Sequence, residues 1–501
     1  VRGVHWRNVV VWTSMAVYSL AFCGLVLLLS LYRYSFKPSL DEFLFSYMGL
    51  ASIGAAVGIL ISTYALARIL WTSSGDGKQV RLACLSSILV CVFLGLVGEV
   101  SLRVILVQKP DGAYVGHIRL IPYFWQEFVG RARIAWERRS NGQRGTTIQD
   151  DWLGWTTGPS RGSDNGEYAS SAEGLRAAYQ GEVLREGLGD CRVALVGDSY
   201  TFGEEVSYVN SWAAQLEKLL PKGCRVLNFG VPGYGVDQMY LRYIKDVPSW
   251  EPNVVILAFI DADIQRTMSA YPFLIFPGSD MPYANPLFRL DPDDRLFIIN
   301  QPLIKPDALL STHSIADLPF VDYDKRYIKA EWDQPAWKYF YNSVMFRLLI
   351  SMYPPSTPER PAVSGNMERA INRAVLQSFV GAVSKRGGTP LVVYLPFPYD
   401  YPPHPIYRMA GVRILEDSGI DHINLTSCLE RVPASERFAE HLHYSPAGNA
   451  AIAHCLYPVV LENLNGGPPT VAKTDAREAV SGVSFKGIDE SRSSSELFHA
   501  P

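Results

Sequence analysis

Arg192-Val-Ala-Leu-Val-Gly-Asp-Ser-Tyr-Thr-Phe-Gly-Glu-Glu-Val-Ser-Tyr208 is the stretch whose reading decides the fold. The apolar run Val193 to Val196 stops at Gly197-Asp198-Ser199, and Trp212, Leu216, Leu219 and Leu220 follow at helical spacing. Strand, tight turn and helix are expected in that order. Such an order sets Ser199 at the carboxyl end of a strand, the edge where open α/β sheets hold ligands and where helix N–H groups face a developing negative charge. A hydroxyl there can be a nucleophile. Gly-Asp-Ser alone is also an ordinary turn, because all three residue types favour turns.

Outward from this stretch the alternation continues. Strands are expected at Val226 to Phe229 and Val254 to Phe259, with helices at Trp212 to Leu220 and Val236 to Lys245. After a proline- and aromatic-rich stretch, residues 268–367, with one helix expected at Trp337 to Tyr353, the rhythm resumes. It runs through a helix from Glu368 to Arg386, a strand from Leu391 to Tyr394, a helix at Met409 to Ser418, a strand at Asp421 to Leu425 and a helix from Pro446 to Leu464. Alternation of this kind implies a mostly parallel sheet covered on both faces.

The mean hydropathy is slightly positive, and the excess lies in residues 1–107. Val9 to Tyr32, Phe43 to Ala67 and Leu82 to Val107 each meet or approach the roughly 20 residues that cross a bilayer as a helix, so three transmembrane helices are expected. The first is too long, and lacks a small-residue cleavage site, to be a removable signal peptide. Arg2, Arg7, Arg68, Lys78 and Arg81 flank one side and Arg33 and Lys37 the other. That asymmetry keeps the amino terminus in the cytoplasm and exports everything after Val107. Glu99 and Arg103, one turn apart in the third span, read as a charge pair reaching toward headgroups.

Four parts are expected: a three-helix anchor over 1–107, a linker over 108–190 that packs on the main domain, the α/β domain over 191–464 with its 268–367 insertion, and a disordered tail over 465–501 rich in Ser, Gly and charge. The linker carries a basic cluster at Arg131, Arg133, Arg138, Arg139 and Arg144, read as solvated surface or as a contact for lipid phosphates. A formal net charge of −3 gives no reason to expect nucleic acid as a partner. Cys23, Cys84 and Cys91 fall in the spans. Cys191 and Cys224 each begin a strand and lie side by side if those strands are neighbours, while Cys428 follows the last strand and Cys455 sits in the last helix. Disulfides Cys191–Cys224 and Cys428–Cys455 are expected, sensible only in an oxidising compartment, with four buried free thiols as the alternative. No close Cys/His spacing suggests a metal, and no cofactor is implied.

Near the carboxyl end, Glu440-His441-Leu442-His443-Tyr444-Ser445-Pro446 puts a carboxylate three residues before His443 and a helix start just after it, with Ser445 as N-cap. A loop there can hold an imidazole over a strand-end serine while a carboxylate fixes its tautomer, as acyl transfer requires. His441 is the competing base. Alternation along the loop points it away.

Gly197-Asp-Ser-Tyr-Thr-Phe-Gly203, Asn228-Phe-Gly-Val-Pro-Gly233-Tyr-Gly235 and His443-Tyr-Ser-Pro-Ala-Gly-Asn449, in that order, resemble the blocks of the SGNH (GDSL-type) hydrolase family over roughly 190 to 464. Leu153-Gly-Trp and Gly174-Leu-Arg are similar to elements of its bacterial membrane-anchored members. The resemblance implies a flavodoxin-like three-layer α/β/α fold and a serine esterase. It also implies Ser199 as nucleophile, His443 as base with Glu440 standing for the family's aspartate, and oxyanion donors at Ser199 and Gly233. Asp198 then supports the turn, and Asp261 and Asp263 are further candidates for support. One departure is marked: Ala262 stands where the family has an oxyanion-hole asparagine, and one lost donor costs about 100- to 1,000-fold in rate.

The expected function is a membrane-anchored deacylase, in the inner membrane of a bacterium with its domain on the periplasmic or extracellular side. Its partners are the lipid bilayer, an O-acyl (for example O-acetyl) ester of a surface glycan or lipid, and other membrane proteins. A binding or assembly subunit, or an O-acetyltransferase partner, is the alternative that Ala262 leaves open.

Overall fold

The computed structural model of the chain describes residues 2–36, 47–72, 77–142, 145–276, 278–354, 364–401 and 410–466. The expected tail from residue 467 onward, Arg144, and Phe43 at the expected start of the second span lie outside them.

Helices α1 (Arg2–Tyr34), α2 (Tyr47–Thr72) and α3 (Gly77–Val104) form an up-down-up bundle, and all three are long and apolar enough to cross a membrane. Their apolar side chains face outward, as a bundle in lipid requires, because lipid rewards close backbone packing and polar bridges rather than apolar burial. Ser62 bonds Ser19 and Ser87 bonds Ser14 between helices, at 2.9 Å in both cases. A Cβ on Gly58 would lie 2.6 Å from Cys23 Sγ, so α1 and α2 meet closely there.

After α3 come three short antiparallel strands, β1 (Leu106–Lys109), β2 (Gly112–Val115) and β3 (Ile118–Arg119). They are followed by an 18-residue helix, α4 (Trp125–Gly142). Where only a linker is expected, the chain forms a regular helix. Its arginines mask a stripe of Trp125, Phe128, Val129, Ala132 and Trp136 at helical spacing, and that stripe buries itself against the insertion at Phe273, Leu309 and Trp332. Arg131 pairs with Asp280 and Arg133 bonds the carbonyl of Leu310, so these two basic residues hold the insertion. A hairpin of β4 (Thr147–Asp150) and β5 (Gly154–Thr157) follows.

The central domain has β6 (Cys191–Gly197), the one-turn helix α5 (Ser199–Phe202), α6 (Trp212–Leu219), β7 (Cys224–Asn228), α7 (Val236–Asp246), β8 (Val254–Phe259) and α8 (Asp261–Arg266). Within and beyond the insertion come α9 (Val344–Met352), α10 (Gly365–Lys385), β9 (Thr389–Tyr394), α11 (Ala410–Ser418), β10 (His422–Asn424) and α12 (Pro446–Leu464). The single helix expected at Trp337 to Tyr353 is two 3-10 turns and then α9, because the Ser343 side chain caps the Phe346 N–H and starts a new helix there.

The five strands are all parallel in the order β10-β9-β8-β6-β7. This is the flavodoxin-like order, with its switch point between β6 and β8. Period-two alternation divides the core: Ala194, Val196, Val255 and Leu257 face α7 and α10, whereas Val193, Leu195, Val254 and Ile256 face α6 and α12. Cys191 pairs in register with Cys224 and the two are disulfide-bonded, as are Cys428 and Cys455.

Phe379 is fully buried between α10 and the sheet. Phe379→Ala is expected to destabilise the chain by about 3 to 5 kcal/mol, read as a lower unfolding midpoint in detergent.

Candidate active site

Strand β6 ends at Gly197, where a Cβ would lie 2.0 Å from Thr201 Oγ1 and 2.8 Å from the Ala258 carbonyl oxygen. Only glycine lets the chain turn that sharply beside β8. Asp198 then caps α5, accepting the Tyr200 N–H at 2.9 Å, and Ser199 occupies its first position. Gly203 ends the turn in the left-handed region, and Glu204 and Glu205 follow at once.

The histidine arrives on a tight loop closed by the Phe438–Tyr444 bridge and a 2.7 Å bond from the Ala439 N–H to the His443 carbonyl. Ser445 accepts the Gly448 N–H as N-cap of α12, and buried Tyr444 donates its hydroxyl to the Pro396 carbonyl. His443 Nε2 lies 2.9 Å from Ser199 Oγ.

The carboxylate on the other ring nitrogen is Glu205, 2.8 Å from His443 Nδ1. Glu440, expected in that role, is exposed. The loop turns between the two residues, with Leu442 at φ +80°, so three positions along the chain do not bring Glu440 to the ring. Glu205 also accepts the backbone N–H groups of His441 (2.7 Å) and His443 (2.9 Å). Burial raises its pKa, but these bonds and the imidazole outweigh burial and hold the carboxyl below its ordinary range. His441 is exposed, and what reaches the site from it is its backbone N–H.

Glu205 and Leu442 both have positive φ, at 65° and 80°, a costly conformation for residues with side chains. Each is pinned by a tyrosine hydroxyl. Tyr168 accepts the Glu205 N–H at 2.8 Å, and Tyr200 donates to the Leu442 carbonyl at 2.7 Å.

A second carboxylate, absent from the sequence reading, stands at the serine side of the ring: Glu204 Oε2 is 3.2 Å from His443 Nε2. Burial raises its pKa, the imidazole pulls it down, and the charges of Asp198 and Glu205 add to the rise. The imidazole is bracketed by consecutive glutamates. The signal available in the sequence was the Glu-Glu pair directly after a glycine helix cap.

Among the described residues, the amide N–H groups of Ser199 and Gly233 have no protein acceptor. Gly233 lies at φ +83°, and Trp155, whose indole donates to the Pro232 carbonyl at 3.0 Å, stands 3.4 Å from where its Cβ would be. Below Ser199, Arg266 bridges Asp198 (3.4 Å) and Asp263, which also accepts the Ile260 N–H. Burial and the neighbouring Asp198 carboxylate raise the Asp263 pKa well above normal against the pull of Arg266. Asp261 accepts the Gly411 N–H at 2.6 Å, engaged with the start of α11. Ala262 is half-buried in the first turn of α8 and offers no side-chain donor. Among the described residues no group of three or more His, Cys, Asp or Glu side chains could hold a metal.

A cavity of about 120 Å³ lies elsewhere, between β2, α4 and the insertion, lined by Arg119, Tyr123, Glu127, Trp332 and Arg347 among others. None of the catalytic candidates lines it.

No protein-family profile and no curated protein matches the chain. Solved structures that match include a protein of Desulfitobacterium hafniense DCB-2 assigned to the lipolytic G-D-S-L family (13% identity, 54% of this chain and 99% of that one, TM-score 0.28). Others are the lipase/acylhydrolase of Enterococcus faecalis (12%, 56% and 100%, TM-score 0.29) and the acetylxylan esterase Axe2 of Geobacillus stearothermophilus (14%, 55% and 96%, TM-score 0.29). At those scores the likeness adds nothing to what the site geometry says by itself.

Because the folded Glu205 carboxyl is held low, its contribution to stability is complete above the ordinary value of about 4.3 and is lost as pH falls through the depressed one. The difference in melting temperature between the wild type and Glu205→Gln is expected to close on acidification from neutral pH. A constant difference would contradict the assignment.

Asp237, 1% exposed at the start of α7, has an Oδ2 with no partner among the described residues, and burial pushes its pKa up to about 7. Between the ordinary value of about 3.9 and about 7, the folded chain keeps a proton that the unfolded chain releases, so stability falls as pH rises across that window. Asp237→Asn is expected to melt higher than the wild type at mildly alkaline pH, with the gap shrinking on acidification.

Proposed function

We propose that this chain is a membrane-anchored serine esterase of the SGNH type that removes O-acyl groups, such as O-acetyl, from a surface glycan or lipid. The observation that carries the reading is the continuous chain Glu205–His443–Ser199, at 2.8 and 2.9 Å, at the carboxyl end of β6.

Glu205 holds the Nδ1 proton, leaving the Nε2 lone pair toward Ser199 Oγ. The imidazole takes the hydroxyl proton as Oγ attacks the ester carbonyl, and the oxyanion forms against the amides of Ser199 and Gly233. Collapse expels the alcohol, which receives the proton from Nε2, and water resolves the acyl-enzyme by the same route. Glu204 offers a negative partner to the imidazolium formed in each half-reaction.

Three helices of spanning length, five basic residues flanking the bundle on one side against two on the other, and two disulfides support an exported domain held at the bacterial inner membrane. Ala262 favours a second reading: a slow enzyme working as the binding or acyl-transfer partner of another membrane protein.

Purified full-length protein in detergent, assayed on p-nitrophenyl acetate and on O-acetylated oligosaccharides, tests the proposal. Ser199→Ala should abolish turnover, and Glu205→Gln should cost about 10⁴-fold in kcat. Glu440→Gln should stay within about twofold of wild type, as an exposed residue should. Equal losses at 205 and 440 would reject the triad.

Glu204→Gln removes the carboxylate 3.2 Å from His443 Nε2, so kcat should fall severalfold with KM little changed. An unchanged kcat would show that Glu204 does not act on the ring.

A further inference from the structure

The insertion is joined to the membrane helices at two separate points. Glu99 lies five residues before the end of α3, about 7 Å along the helix axis. Its carboxylate accepts the Ser343 hydroxyl (2.8 Å) and the N–H groups of Val344 (2.9 Å) and Met345 (3.0 Å), capping α9 from inside the span. Arg103, paired with Glu99, donates to the Asn342 carbonyl at 2.6 Å. At the end of α1, fully buried Tyr32 packs edge-on against Trp337 and Phe346. Ser35 accepts the Trp337 indole N–H, and Arg33 donates to the Pro354 carbonyl. These contacts hold residues 337–354 level with the last turns of two apolar helices.

Apart from Asn342, the exposed side chains between Tyr339 and Tyr353 are apolar or aromatic. Tyr339 is 79% exposed and Tyr353 63%, with Phe340, Met345 and Met352 also exposed between them. Arg347, the one charged residue of α9, is turned inward to the carbonyls of Leu120, Ile121 and Pro122. In water the reverse arrangement would be expected, with the guanidinium solvated and the methionines inside. Lys338, with its ammonium 5.6 Å from the Tyr339 ring centroid, gives the edge a basic-aromatic pair of the kind that settles at headgroup level. Val104 and Ile105, at the end of the α3 that Glu99 ties to α9, are exposed as well.

We propose that residues 339–353 form a fourth membrane contact, an interfacial segment whose exposed side chains enter the headgroup and upper acyl-chain layer of a phospholipid leaflet. This rests on the three helices being membrane spans. Buried apolar area then adds to the anchor, and the catalytic body cannot swivel freely on α3. Ser199 is thereby held at a set height and orientation over the bilayer, which restricts the substrate to esters presented at that height.

The full chain would be reconstituted in phosphatidylethanolamine/phosphatidylglycerol vesicles containing a phospholipid with a diazirine near the top of its acyl chain, irradiated, and mapped by peptide mass spectrometry. Peptides from α1 to α3 and from 339–353 should carry lipid adducts, while the peptide around exposed Tyr179 should not. In Met352→Lys/Tyr353→Lys, two exposed positions, adducts in 339–353 should drop severalfold while those in α1 to α3 persist and an unchanged melting temperature shows the fold retained. Labelled spans with an unlabelled 339–353 would overturn the proposal and leave the membrane reading standing. Spans that are also unlabelled would remove the membrane reading and this proposal with it.

Discussion

The site depends on one carboxylate accepting three donors at once. Glu205 binds the N–H groups of His441 and His443 and the imidazole of His443, so a single side chain shapes the loop and fixes the ring within it. A carboxylate with that many donors strongly favours its ionised form, and an ionised partner keeps the proton on Nδ1 and the lone pair on Nε2. The loop's shape and the imidazole's tautomer therefore have the same cause. Without Glu205 neither would be held.

That carboxylate can act only because the chain around it is forced. Gly203 turns the backbone after one helical turn, Glu205 takes a left-handed conformation, and Leu442 takes another across the gap. Two tyrosine hydroxyls secure the strained residues: Tyr200 belongs to the packed core, and half-buried Tyr168, from the segment before the central domain, packs on Phe202. The parallel sheet beneath supplies the rigidity, since β6 is flanked on both sides and buried on both faces. Rigidity at β6 reaches Ser199 through Asp198, which caps its helix and leans on Arg266 and Asp263.

Much of this was legible in the residues. The strand and helix periods gave the sheet and both of its apolar faces, and Ser199 and His443 stood out because each sits at the boundary of a periodic element. Glu205 did not, because its contact with His443 spans 238 residues and depends on two positive-φ positions that no periodicity reports. Glu440 rests on its spacing from His443 and on the family's aspartate at that spacing, and spacing fails where a loop reverses. The charges at Glu99 and Arg103 were visible as an oddity in a span, but their purpose, capping a helix some 245 residues away, exists only in three dimensions. α4 escaped notice for the opposite reason: its apolar stripe is regular but interrupted by arginines that serve the insertion.

The central claim is that Ser199 is made nucleophilic by the ring that Glu205 orients. Reaction of the folded wild-type chain with a fluorophosphonate, followed by peptide mass spectrometry, tests it most directly. A single phosphonylated residue, Ser199, labelled in the wild type and far more slowly in Glu205→Gln, is the predicted result. A folded chain that takes no label, or takes it at another serine, would contradict the account.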